Sequence, residues 1–369
     1  MKWGRRVAGR QVLRMRLFSL GCLLLGGLAS PALAEDRVVT STGSLLGEVV
    51  SMTPDALEFR EQGSSGRPQQ IPVDEIVSLV LESEPPRVTE AKQLLEQEDF
   101  QTAATILSEV SQVELEVASA EARGEYAYVK AAVVGRRALL SGNDSSAAVA
   151  AVTDFLDRFS RSIHRYEMIE MAGDLELATG RREEALSWYR QLAKGTQSLK
   201  IRAARREGET LLEMGRAAEA AAVLAVAADL PAGNSASRRE RNAAKIGEAN
   251  CLIRLTRPAE AAGLIRRLLA SMEPPAAADG KGQRQVARAY AMLGRASLAA
   301  GRDQDALIAY LTVDLVHNQD RESHAEALFR LHELWKKGQY PQRANEAARR
   351  LEADYPESSW ADRLGQAVD

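Results

Sequence analysis

The stretch Gly173-Asp-Leu-Glu-Leu-Ala-Thr-Gly180-Arg-Arg-Glu-Glu-Ala185 decides how this chain folds. A small residue is followed seven positions later by glycine, and five after that by alanine. The spacing returns as Gly135/Gly142/Ala147, Gly208/Gly215/Ala220 and Gly294/Gly301/Ala306, with Ala91/Glu98/Ala103 and Ala249/Thr256/Ala261 as looser copies. It describes a helix, a turn and a second helix. Gly173 falls where the first helix has no room for a larger side chain, because the next helix crosses it. Gly180 falls where that helix ends, since glycine takes the left-handed cap conformation at no steric cost. Glu183 and Glu184 open the second helix, where negative charge suits the positive end of the helix dipole. Ala185 lets it pack closely. An aromatic four residues on, Tyr189 here and Tyr310 after Ala306, is expected to fill the gap between units.

Successive copies start 44, 38, 35, 41 and 45 residues apart between Ala91 and Gly294, a period that belongs to helical-pair solenoids. The order of Gly, Gly, Ala and aromatic resembles the tetratricopeptide repeat (TPR). A further unit begins near Leu331, with Gly338 at the turn and Ala344 one place late. Its tail, Tyr355-Pro356-Glu357-Ser358-Ser359, is similar to the Y-P-x-S ending of bacterial envelope TPR proteins. The resemblance covers Ala91 to Trp360. It implies a mainly α chain, a TPR-like right-handed solenoid of about six to seven helix pairs over residues 87–360, with 361–369 as a tail.

The first 34 residues read as a secretory signal. Lys2, Arg5, Arg6, Arg10, Arg14 and Arg16 form a basic region, Leu17 to Leu28 an apolar core, and Ala32-Leu33-Ala34 a small-x-small cleavage site. The apolar run is short for a bilayer span and contains Gly26 and Gly27. The expected mature chain therefore begins at Glu35, has no stable transmembrane span, and is periplasmic or associated with the cell envelope. Without the signal it carries 42 basic and 51 acidic residues, a net of −9. That balance argues against nucleic acid as a partner. The basic clusters Lys200/Arg202/Arg205/Arg206 and Arg238/Arg239/Arg241 read as solvated helix faces balanced by Glu207, Glu209 and Glu240.

Residues 35–84 have a different texture. Val38 to Thr42, Leu45 to Ser51, Ala56 to Arg60, Gln69 to Pro72 and Ile76 to Leu81 read as five short strands. A turn at Thr53-Pro54-Asp55 and a tip at Gln62 to Pro68 separate three of them. The arrangement predicts a small barrel or strongly bent sheet, and T-G-x-x-x-G-x-V followed by I-P-x-x-x-I resembles Sm-like barrels. Glu84-Pro85-Pro86 is the hinge, its prolines ending the strand and opening the first helix.

Little in the chain reads as catalytic. His164, His317, His324 and His332 show no metal-ligand spacing, and there is no phosphate loop or nucleophile elbow. No cofactor is implied. Cys251 sits in an apolar helix as a buried structural thiol. The function expected is therefore a non-enzymatic scaffold that binds a protein or peptide. Its rivals are an oligomerising envelope component, a homo-oligomer among them, and a glycan or polymer binder acting through the β module.

If the TPR-like register holds, the concave strip carries Glu170 and Asp174, Arg205 and Glu209, Asn250 and Arg254, Arg288 and Arg295, then His332 and Lys336. It begins acidic and becomes basic, which suits an extended ligand of opposite charge order. Asn250 resembles the helix-A Asn with which some peptide-clamping TPR domains hold a terminal carboxylate. Arg254, Arg288 and Arg295 are expected to meet a carboxylate by their planar forks. Reversing Arg288 and Arg295 is expected to abolish binding without changing stability, with Arg238 and Arg239, on an outer loop, as the control.

Overall fold

A computed structural model describes residues 35–40, 42–142, 145–275 and 279–366; the secretory-signal reading of residues 1–34 lies outside them. Alternating β-branched and polar residues give β1 (Asp36–Thr40), β2 (Gly43–Met52), β3 (Ala56–Glu61), β4 (Gln69–Pro72) and β5 (Ile76–Val80). All pairings are antiparallel, in the order β4-β3-β2-β1-β5. The sheet is thus open, and the expected barrel closure between β4 and β5 is not made. The β5 edge turns instead toward the helices, where Lys92 Nζ donates to the Leu79 carbonyl at 3.0 Å. A charged side chain on an edge carbonyl and the register shift opposite Val39/Thr40 both discourage strand addition there.

Proline at the first turn opens α1 (Pro86–Glu96), and α2 (Phe100–Ser108) pairs with it. A short α3 (Gln112–Val117) follows. Then come α4 (Ala120–Ser141) with α5 (Ser145–Arg158), α6 (Arg165–Ala178) with α7 (Arg182–Leu192), and α8 (Gln197–Glu213) with α9 (Ala217–Asp229). The array continues as α10 (Ser235–Arg254) with α11 (Pro258–Ser271), α12 (Gly280–Ala299) with α13 (Asp303–Val316), and α14 (Arg321–Lys337) with α15 (Pro341–Asp354). The expected tail begins inside α16 (Ser359–Gln366), whose Trp360 and Leu364 are buried against α14 and α15. Among the described residues no helix is long and apolar enough to cross a membrane.

The repeat spacing is explained by one steric match. A methyl group on Gly173 would meet the Tyr189 ring at 2.5 Å, one on Gly208 would meet Leu224 at 2.5 Å, and one on Gly294 would meet Tyr310 at 2.6 Å. Each large residue follows its glycine by sixteen positions, as Leu107 follows Ala91 and Ile265 follows Ala249. The aromatic therefore fills space inside its own pair as well as meeting the next unit: Arg206 lies 5.9 Å from the Tyr189 ring centre, and Tyr310 shares a core with Ala327 and Leu331 of α14. In the α4/α5 pair the first contact falls on Ala148, which is buried, and not on the expected Ala147, which is exposed. There Met171 of α6 closes on Gly135.

The turns take positive φ throughout: Gly142 68°, Gly180 81°, Gly215 77° and Gly301 70°. In the looser copies Glu98 (62°) and Thr256 (58°) hold the same conformation, and in the last pair it falls on Gln339 (63°), not on Gly338. Counted from Gln339, Ala344 is in place and His332 occupies the small-residue position. Its counterpart sixteen residues on is the small Ala348, so large and small have changed sides. A β-branched residue is the least suited to this backbone. Thr256→Gly is accordingly expected to raise unfolding stability by about 1 kcal/mol, read as a higher urea midpoint at unchanged slope.

The sheet packs its apolar face, Val38, Leu57, Phe59 and Leu79 among others, onto Ala118, Ala122 and Ile163. These lie at the beginnings of α4 and α6. Asp74 reaches on to the start of α8, accepting from Ser198 Oγ at 2.8 Å and Thr196 Oγ1 at 3.2 Å. The sheet therefore stands against the row of first helices at its N-terminal end and leaves α10, α12 and α14 uncovered.

Candidate functional site

The first helices α6, α8, α10, α12 and α14 form the inner row, and arginines on one meet carboxylates on the next. Arg206 donates to Glu170 and to Asp174, each at 3.0 Å, from α8 to α6. Arg202 reaches Glu170 at 3.3 Å and Glu240 of α10 at 2.9 Å, and Arg205 reaches Glu240 at 2.9 Å and Glu209 at 2.8 Å. Burial alone would lower the Arg205 guanidinium; Glu209 and Glu240 outweigh it and raise it. Burial raises the Asp174 carboxyl, with Arg206 opposing. Four predicted site residues, Glu170, Asp174, Arg205 and Glu209, are thus brought together, but as partners within the molecule.

The same pattern joins α12 to α14. Arg288 Nε lies 3.0 Å from Asp320, which also caps α14 by accepting from Ser323. Arg295 donates from Nε to Glu326 at 2.5 Å and from a second nitrogen to its other oxygen, while the Tyr310 hydroxyl donates at 3.3 Å. Glu326 is fully buried. Arg295 is therefore a structural counter-ion, not a free cation for a ligand. His332 points to α15, its Nδ1 donating to the Ala344 carbonyl at 3.0 Å, so the inner face does not include it. Lys336 and Arg254 are exposed and make no ion pair among the described residues.

Between α8, α10 and α12 lies an open groove of about 510 Å³. Its floor is apolar, with Leu212, Leu224, Ile246 and Met292. Arg205, Glu209, Asn250 and Arg288 line it as the sequence suggests, and Arg239, Lys281 and Arg284 line it as the sequence did not. Arg238 and Arg239 stand in the first two turns of α10, not on an outer loop, so the proposed control pair would itself touch the groove. Lys281 stands in the first turn of α12. The α10/α12 step is joined by neutral bonds, Asn242 to Gln285 at 3.4 Å and Gln285 to the Arg239 carbonyl at 2.7 Å. Among the described residues no ion pair crosses it.

A second cleft, of about 630 Å³, separates β5 from α1, α4, α6 and α8. At its base Lys92 contacts Glu84 at 2.5 Å and Glu125 at 2.7 Å, and His164 Nε2 lies 3.0 Å from Glu125. Tyr128 stacks on His164 with ring centres 3.5 Å apart and donates to Glu167 at 2.9 Å. Burial would raise the Glu125 carboxyl, but His164 and Lys92 outweigh it and bring it from an ordinary 4.5 to about 2. Glu84 shares Lys92 but not His164, and there burial prevails and raises the carboxyl. No sequence motif marks this cluster, because its members come from widely separated segments.

Cys251 is buried, and burial pushes its thiol up to about 11, so it is protonated at neutral pH. His324 is held by Asp314 at 2.9 Å and Tyr355 at 2.6 Å, and His317 stacks on Tyr290. Among the described residues no group of three or more His, Cys, Asp or Glu side chains is placed to hold a metal.

No protein-family model matches the chain, and no curated protein is similar to it in sequence. Among solved structures, the apo form of RapI is 13% identical, with a TM-score of 0.54 over 75% of this chain and 79% of that one. A tetratricopeptide repeat protein from Parabacteroides merdae is 12% identical, with a TM-score of 0.52 over 77% of this chain and 98% of that one. At such identities the likeness shows the fold alone: a helical-pair array of the tetratricopeptide type.

Proposed function

We propose that the chain is an exported, non-enzymatic scaffold of the cell envelope, and that its groove between α8, α10 and α12 holds an acidic segment of a partner protein. Export rests on the basic, apolar and small-x-small order of residues 1–34. The binding reading rests on one observation. Along the inner row arginines are met by carboxylates of the neighbouring helix, until α10 and α12, where Arg239, Lys281 and Arg284 face the groove with no ion pair among the described residues. Guanidinium groups on an apolar floor suit planar carboxylates and the aliphatic stems beside them. Asn250 adds an amide to the same wall.

Reversing Arg239 and Arg284 to Glu is expected to weaken binding of a labelled synthetic peptide carrying a Glu/Asp block by at least tenfold, with melting and helicity unchanged. The control reverses Arg267 and Arg349, exposed on the second helices α11 and α15. Equal loss in the control, or normal binding by the groove variant, would overturn the reading.

A further inference from the structure

The groove is not uniform along its length. Arg239 meets Gln285 near the beginnings of α10 and α12, and Leu252 shares a core with Met292 and Ala296 toward their ends. The two helices therefore run in the same direction. Arg205 bonds Glu240, and Leu211 shares a core with Cys251, so α8 runs with them. In that register the unpaired cations Arg239, Lys281 and Arg284 stand at one end of the groove, and Leu212, Ile246 and Asn250 stand at the other. Leu212 and Ile246 are half-buried, so part of each side chain is open to a ligand. Beyond Arg288, which Asp320 holds, no cation among the described residues lines the groove. A carboxylate there would lose water without gaining a counter-charge. Along the row the charges on either side are matched within the molecule, Arg202 and Arg205 by Glu240, Arg288 by Asp320 and Arg295 by Glu326.

We infer that the groove's ligand lies parallel to α10 and α12, not along the row, and is a short segment with acidic side chains at one end and large apolar side chains at the other. This rests on the proposed function and adds the apolar half of the ligand and its direction. A ligand running along the row would find free charge only at this one step. One lying along the step meets the cations first and then Leu212 and Ile246. Asn250 comes eleven residues after Arg239, and Met292 eleven after Lys281. At about 1.5 Å per residue that is a rise of about 16 Å. An extended chain covers it in about five residues, at about 3.3–3.6 Å each. The acidic and apolar positions must therefore be neighbours in the partner's sequence. Covering Leu212 and Ile246 removes apolar surface from water, a gain that an acidic block alone does not make.

The test uses the full chain and three labelled synthetic peptides: an acidic block alone, and the same block with a Leu-Leu pair directly before or directly after it. One joined peptide is expected to bind at least ten times more tightly than the acidic block alone. Leu212→Ser with Ile246→Ser is expected to erase that gain and leave binding of the acidic block unchanged, which also shows that the variant folds. Should the double change unfold the chain, Ile246→Ser alone is read by the same rule. Ile308→Ser with Leu315→Ser, on exposed residues of α13, is expected to keep the gain. If neither joined peptide exceeds the acidic block, if the gain survives the loss of Leu212 and Ile246, or if the α13 control loses it equally, this inference falls and the proposed function stands. If the acidic block binds the Arg239/Arg284 reversal as well as the wild type, the proposed function falls with it.

Discussion

Arg295→Glu is expected to cost about 3–5 kcal/mol of folding stability, the penalty for stranding a buried charge. Its partner Glu326 is fully buried and takes two charge-assisted bonds from the guanidinium. Reversal removes both and sets a second carboxylate against the first. The Tyr310 hydroxyl, at 3.3 Å, is the remaining donor and cannot neutralise a charge. Arg288→Glu should cost far less, under about 1 kcal/mol, because Arg288 is 62% exposed and Asp320 keeps its Ser323 bonds. Chemical denaturation of the two single variants decides it, and equal losses would mean that Glu326 is not held as described. The sequence-based expectation that reversing Arg288 and Arg295 spares stability is therefore replaced: any loss of binding in that pair would report misfolding.

Gly173→Leu is expected to cost about 3 kcal/mol, at the upper end of overpacking penalties. The first added carbon already meets the Tyr189 ring at 2.5 Å. That ring is fully buried, and its hydroxyl is tied to Asp174 at 2.7 Å, so it cannot swing aside without losing a bond. Gly208→Leu meets Leu224, a branched side chain free of such a tie, and should cost somewhat less. Gly233→Leu has no atom within 4 Å and should change stability by no more than about 0.5 kcal/mol. Thermal unfolding of the three variants should rank them in that order. A Gly233 effect as large as that at Gly173 would show that the small position is not a packing site.

The helical array was legible because its defining contact is local. A small residue and the large one sixteen places later belong to one pair, so packing leaves a period in the sequence. The last pair was misread by one place because its turn uses Gln339 while a glycine stands beside it. The sheet's strands were legible from alternation, but closure depends on whether β4 meets β5, which no local pattern dictates. The inner-face charges were least legible. Arg206 and Glu170 lie on neighbouring repeats, and the period that places both on one face does not say which is spoken for. Arg295 and Arg284 look alike in sequence, and only Glu326 separates a counter-ion from a candidate ligand group.

The α10/α12 step differs from its neighbours in its response to salt. The inner row is stitched by ion pairs from α6 to α8, from α8 to α10 and from α12 to α14, but among the described residues no ion pair joins α10 to α12, where Gln285 bonds the Asn242 amide and the Arg239 carbonyl. Helices α10 and α12 also pack on each other and on α11 by apolar contact, with Ala249 and Leu252 in one core with Ala289, Met292 and Ala296. Salt screens ion pairs and leaves apolar contact in place, so this step is expected to be the least sensitive to ionic strength along the inner row. A polyanion laid from Arg239 to Arg284 would add there the ion pairing that this step lacks, and with it a sensitivity to salt.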